Sequence, residues 1–322
     1  MVGRLKRKVL FSRFFRRTIG WSQRIILPGF EGFSLYEISR FFFNALFTGR
    51  LIDRASAIAF KTFMAFFPAV IVLLTLIPYV PVPDFQERLL STFQEMLPHE
   101  VYTFIESTLH DLVVRKHGTL LSVSFIVGIY LASNSIDAIL DGFSGSTNLV
   151  RWHSALKQRL LSLALLVMIS LLTVLAIPVL AFSDLVIGEL HHIRFFANEL
   201  ELWAALGVKW LVSILLVMVA VSLLYTAGDP TARRFRTFTP GSILAVFLIL
   251  LISQGLAFVF NNITDYNALY GSIGAILAVQ LWIYFNMIAL LIGYELNASI
   301  SWAKHHHTRH LHVPEAASTA NG

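Results

Sequence analysis

The sequence predicts an all-α integral membrane protein: a bundle of six transmembrane helices with additional amphipathic helices at the membrane surface. Three observations predict it. The 322 residues are 56% hydrophobic and only 14% charged, where a soluble domain carries about 25% charged residues. Apolar runs recur at a length that matches the roughly 20 residues a helix needs to cross a bilayer core. Lys and Arg gather in the segments beside those runs rather than on a soluble surface.

Residues 1–54 hold eleven Lys or Arg and three acids, Glu31, Glu37 and Asp53. Bases alternate there with Phe, Leu and Ile, and no uninterrupted apolar stretch or small-residue cleavage pattern follows, so the segment reads as interfacial and amphipathic rather than as a signal peptide. A short helix is expected from Ser34 to Phe47, either lying in the membrane plane or packed under the bundle.

The first span is expected over 55–77, with Pro68 inside it as a source of a kink. Residues 78–117 carry six acids and three bases, with apolar residues at helical spacing. They predict two amphipathic helices outside the core. Further spans are expected over 120–140, 160–182 (with Pro178), 206–225, 241–260 and 272–296. The division is then a 1–54 interfacial segment, a 55–300 six-helix domain and a flexible 301–322 tail with histidines at 305, 306, 307, 310 and 312.

The basic segments are the N-terminus, the connectors after the second and fourth spans (Arg151, Lys157; Arg233, Arg234, Arg236) and the C-terminal tail. The other connectors are acidic or near neutral. This alternation places both termini on the cytoplasmic side. With the cationic segments beside apolar runs, the net charge of +6 points to anionic lipid headgroups rather than nucleic acid. The chain has no cysteine, which excludes disulfides and thiolate chemistry. Neither a Ser-His-Asp arrangement, an H-E-x-x-H motif nor a phosphate-binding loop is present, so no catalytic residue, metal or cofactor is expected.

The closing block is the most specific stretch. Thr239-Pro240-Gly241 opens the fifth span, Tyr270-Gly271-Ser272 leads into the sixth, Trp282 and Tyr284 lie within it, and Gly293-x-Glu295-Leu296-Asn297-Ala298 ends it. With the alanine-rich first span running to Pro68, these residues resemble the YihY/BrkB family of bacterial inner-membrane proteins, once labelled ribonuclease BN, over about residues 50–300. The resemblance implies a six-helix bundle in the bacterial cytoplasmic (inner) membrane and little about activity. Polar residues in the second, fifth and sixth spans point instead to a transporter or permease-like protein for a small solute or lipid. Lys61 stands where the resemblance leads one to expect an aromatic residue. The nuclease label finds no clustered ligands here.

Seven polar residues inside the spans form the candidate intramembrane site: Lys61, Asn134, Asp137, Gln254, Gln280, Asn286 and Glu295. An isolated charge in a bilayer costs several kcal/mol. Lys61, Asp137 and Glu295 are expected at similar depth, where Lys61 pairs with Asp137 or with Glu295, either around a polar site on the cytoplasmic side or as snorkelling plus a structural ion pair that fixes helix order. The amides either line a solute path or join helices by hydrogen bonds. Two readings follow: a transporter, or a non-catalytic envelope scaffold that binds a membrane partner or a second copy of itself.

Overall fold

The computed structural model describes Gln23 and residues 32–48, 50–96, 99–144, 154–192, 199–229, 235–262 and 266–311. The expected amphipathic segment before residue 32, Arg151, Arg233, Arg234 and His312 lie outside the described residues. Those described form helices without strands: α1 (Leu35–Thr48), α2 (Leu51–Leu76), α3 (Phe85–Met96), α4 (His99–Val114), α5 (Gly118–Ser144), α6 (Ala155–His192), α7 (Glu199–Gly228), α8 (Pro240–Asn262) and α9 (Tyr266–Leu311). Six of them, α2 and α5 to α9, contain stretches long and apolar enough to cross a membrane.

Each span begins near its expected place, but two run much further. α6 passes through Pro178 and continues to His192. α9 extends for 46 residues and carries the first part of the expected tail as helix, to Leu311. Hydropathy locates the apolar part of a helix; nothing in it stops a helix that leaves the bilayer, where good helix formers such as Leu185, Glu189 and Leu190 in α6 or Lys304 and Arg309 in α9 carry it on. α2 likewise begins four residues before the expected span, at Leu51. That small difference decides the chemistry below.

The spans alternate in direction. Arg54 near the start of α2 meets Gly142 near the end of α5. Further along, Thr62 meets Ser135, and Pro68 lies beside Gly128. The end of the bundle holding Arg54, Gly142 and Glu295 is termed basal here, and the opposite end distal. Buried residues gather in the basal halves. In α7 they are Met218, Val221, Ser222, Leu224 and Tyr225, and none precedes them from residue 203 on. In α8 they are Gly241, Ser242, Ala245 and Val246, with none over residues 247–260. α2 buries nothing between Phe60 and Leu74.

α1 begins with a capping box. Ser34 Oγ accepts from the Glu37 N–H, and Glu37 Oε2 accepts from the Ser34 N–H. Ile38 of α1 is buried with Ile300 and Ala303 of α9, so α1 packs under the bundle against the basal extension of the last helix. At the distal end, α3 and α4 form the expected amphipathic pair. Tyr102, Leu109 and Val113 of α4 pack with Leu90 and Phe93 of α3, with Leu74 at the end of α2 and with Ile77 just after it.

Candidate functional site

The basal end is organised by one short stretch of α9, Gly293 to Asn297. Each of its polar side chains serves a different helix. Glu295 Oε1 accepts from Arg54 Nη2 at 2.6 Å, and the Glu295 side chain is 1% exposed. Arg54 Nη1 donates to the Gly142 carbonyl at 2.6 Å. That carbonyl belongs to the last turn of α5, where backbone oxygens lack intrahelical partners and the helix dipole favours a cation. One guanidinium therefore joins α2, α5 and α9.

Asn297 caps α8. Its Oδ1 accepts from the Gly241 N–H at 2.8 Å and its Nδ2 donates to Thr239 Oγ1 at 2.9 Å. Thr239 and Ser242 complete the cap: Ser242 Oγ accepts from the Thr239 N–H, and Thr239 Oγ1 accepts from the Ser242 N–H. Pro240 suits the first helical position because the N–H it lacks would be orphaned there anyway. Gly241 and Gly293 let the two helices touch: a Cβ on either would collide with the other's carbonyl oxygen. The Thr-Pro-Gly and Gly-x-Glu-Leu-Asn motifs are two halves of one docking joint.

Tyr294 completes the stretch. Its hydroxyl donates to the Gly228 carbonyl at the end of α7, 2.8 Å away. Its ring stacks on Phe143 of α5 at 4.1 Å between centroids. Tyr225 of α7 meets Phe143 edge-on at 5.5 Å and donates its hydroxyl to the Leu290 carbonyl at 2.6 Å. Such aromatic pairs add about 0.5–1.5 kcal/mol beyond area burial.

A second polar cluster lies between α5 and α6. Gln158 Nε2 donates to Asp137 Oδ1 at 2.8 Å and to Asp141 Oδ1 at 2.9 Å. Arg159 turns the other way, donating to Asn134 Oδ1 and lying 5.2 Å from the centre of the Tyr130 ring.

The expected Lys61 pairing is therefore corrected. Glu295 is bound by Arg54, and Asp137 by Gln158. Lys61 is exposed. Arg54 had been assigned to the segment before the first span, but the earlier start of α2 brings it inside the first turn. Along α2 the buried stripe is Leu51, Ala55, Ile58 and Ala59, and Lys61 falls outside it. A lysine there can run its stem along the helix and place its ammonium at the interface.

The remaining candidates divide by depth. Gln254 is exposed on α8. Its neighbour Ser253 accepts from Trp282 Nε1 at 3.1 Å. Asn286 is buried on α9, and Gln280 is half-buried beyond it. The seven residues do not converge on one site. Arg54, Tyr225, Tyr294 and Asn297 were missed as site residues. Glu295 and Asn297 share the motif that carried the family resemblance, which was the available signal. Among the described residues, no three or more His, Asp or Glu converge as a metal site.

Known proteins supply the rest. The ribonuclease-like protein YfkH of Bacillus subtilis (strain 168) is 28% identical over 250 residues, covering 76% of this chain and 88% of that protein. A UPF0761 membrane protein of Xanthomonas campestris pv. campestris (strain B100) is 24% identical over 272 residues, covering 82% of this chain and 61% of its own length. A UPF0761 membrane protein of Stenotrophomonas maltophilia (strain K279a) is 24% identical over 267 residues, with the same coverages. The chain thus spans only 61% of the length of these UPF0761 relatives. No solved structure matches it. The profile of the family described as "Virulence factor BrkB" matches residues 43–318, and with its six apolar helices the chain belongs to that family of membrane proteins.

Proposed function

We propose that the protein is a permease-like, non-enzymatic carrier of a small solute or lipid in the bacterial cytoplasmic membrane. The basal end faces the cytoplasm, and both termini are cytoplasmic. The alternation of basic and acidic segments supports that orientation. The basal cations meet anionic lipid headgroups.

One observation carries the reading. Polar side chains lie at two depths of the bundle: the Arg54–Glu295 pair at the basal end and, beyond the apolar layer of Ile58 and Leu291, Thr62 and Ser135 with their hydroxyls 2.6 Å apart, at the depth of buried Asn286. Polar groups are costly inside a bilayer and mark solute paths when they line a bundle interior. The pair at the basal end acts as a seal. With no nucleotide-binding motif in the sequence, movement is passive, ion-coupled or driven by a partner.

The test is flux across liposomes holding the purified protein, with inorganic ions, small organic anions and labelled phospholipid in parallel. Glu295→Gln is the comparison, because Gln keeps an acceptor toward Arg54 and loses the charge. Protein-dependent movement of one class, altered in the variant, supports the permease. Absence of movement of every class from folded protein rejects it.

The second reading is an envelope scaffold that binds a membrane partner or a second copy of the chain. It is favoured by the distal α3–α4 pair, whose outer surface presents Glu87, Glu106 and His110. Isolation from native membranes under gentle conditions without a companion counts against it.

A further inference from the structure

Asn286 is 7% exposed, and its amide is half-satisfied. Its Nδ2 donates to the Trp282 carbonyl at 2.7 Å. A carbonyl oxygen only accepts, so this bond fixes which end of the amide is nitrogen. The other end, Oδ1, is buried without a partner. A buried acceptor left without a donor costs about 1–3 kcal/mol. Gln280 Oε1, further toward the distal end of α9, is also buried and unpartnered. The third such atom among the described residues is Arg54 Nε, in the basal seal.

The helix register places Asn286. Arg54 faces Glu295, and one turn further Ile58 and Leu291 both lie against Gly142. Continuing that antiparallel register sets Asn286 level with Thr62 and Phe63, about 13 Å from the seal at 1.5 Å per residue. Thr62 is tied to Ser135. From this layer to the distal end, α2 and α8 bury almost nothing, whereas the basal side is closed by packed side chains.

Resting on the permease reading, we propose that Asn286 Oδ1 is the contact point for a ligand that donates hydrogen bonds, entering from the distal face. The orphan is an acceptor, so the ligand carries hydroxyl, amine or amide groups and is neutral or cationic. An anion such as formate, which only accepts, is refused. The donor belongs either to a free polyol or amine or to a hydroxyl- or amine-bearing lipid headgroup.

The experiment uses the full chain in liposomes. Free glycerol and methylammonium form one arm, labelled phosphatidylethanolamine the second, and formate is the comparator. Asn286→Leu is measured beside wild type. The expected result is movement of donor probes in one arm, no movement of formate, and about a tenfold loss in Asn286→Leu, the equivalent of about 1.4 kcal/mol. The arm that moves identifies the source of the donor. Formate moving as fast as the donor probes, or full activity in Asn286→Leu, overturns the inference and leaves the permease standing.

If none of these probes moves, the inorganic ions and organic anions of the first test decide the permease, and a separate readout decides the contact point. The chain has no native cysteine, so Asn286→Cys supplies a single thiol. A membrane-impermeant trimethylammonium methanethiosulfonate should modify it from the distal side only, with glycerol or methylammonium slowing the reaction. A thiol that is unreactive from the distal side, or whose reaction neither solute slows, overturns the inference.

Discussion

Arg54 and Glu295 are 241 positions apart in the chain and 2.6 Å apart in the structure. The pair is almost wholly withdrawn from solvent, and the same guanidinium holds the end of α5. A buried ion pair is weak evidence for stability as a whole, because desolvation offsets attraction. Breaking it from one side is different, since a charge is left behind. Glu295→Ala or Arg54→Ala alone should lower unfolding free energy in detergent by about 3–5 kcal/mol. The double variant Arg54→Leu with Glu295→Leu should lose much less than the sum. Additive losses would show that the two side chains do not act as a pair.

Asn297 gives a second prediction. Its amide satisfies one end of α8 from both sides, so Asn297→Ala should cost about 1–2 kcal/mol, in the range of a lost helix cap. Asn297→Asp keeps the acceptor for the Gly241 N–H and loses the donor to Thr239, and should fall between. Gly293→Val should be worse than either, because a side chain there meets the Gly241 carbonyl and the Tyr225 hydroxyl. Thermal unfolding of the three purified variants gives the order directly.

Lys61 gives the opposite expectation. The sequence makes it the conspicuous charge of the first span, yet it lies on the exposed side of α2. Lys61→Met should change stability by less than about 0.5 kcal/mol, as surface substitutions do. A loss comparable to that of Arg54→Ala would mean that Lys61 has a buried partner.

The six spans were legible because the bilayer imposes length and apolarity on every helix that crosses it, and the alternation of basic connectors followed from the same pattern. The basal joint was half legible. Its residues stand in the two motifs that carried the resemblance, but a motif does not say which side chain faces which helix. Arg54 was hidden by a boundary, since hydropathy begins the span at Ala55 and the helix begins at Leu51. Asp137 was expected to need a cation. Its partner is a neutral amide, Gln158, in the helical turns leading into the third span, where polar residues draw no notice. The helical extension of α9 beyond the bilayer left no hydropathy signal at all.

The central claim is that the α2–α5–α9 interface opens for a solute to pass. Thr62 and Ser135 join α2 to α5 at mid-depth through hydroxyls 2.6 Å apart, close enough for a paired cysteine substitution to form a disulfide. With no native cysteine, Thr62→Cys with Ser135→Cys makes a staple that a reductant can release. Flux in liposomes should be absent when the staple is closed and return on reduction. Equal flux in the closed and reduced states would contradict the account.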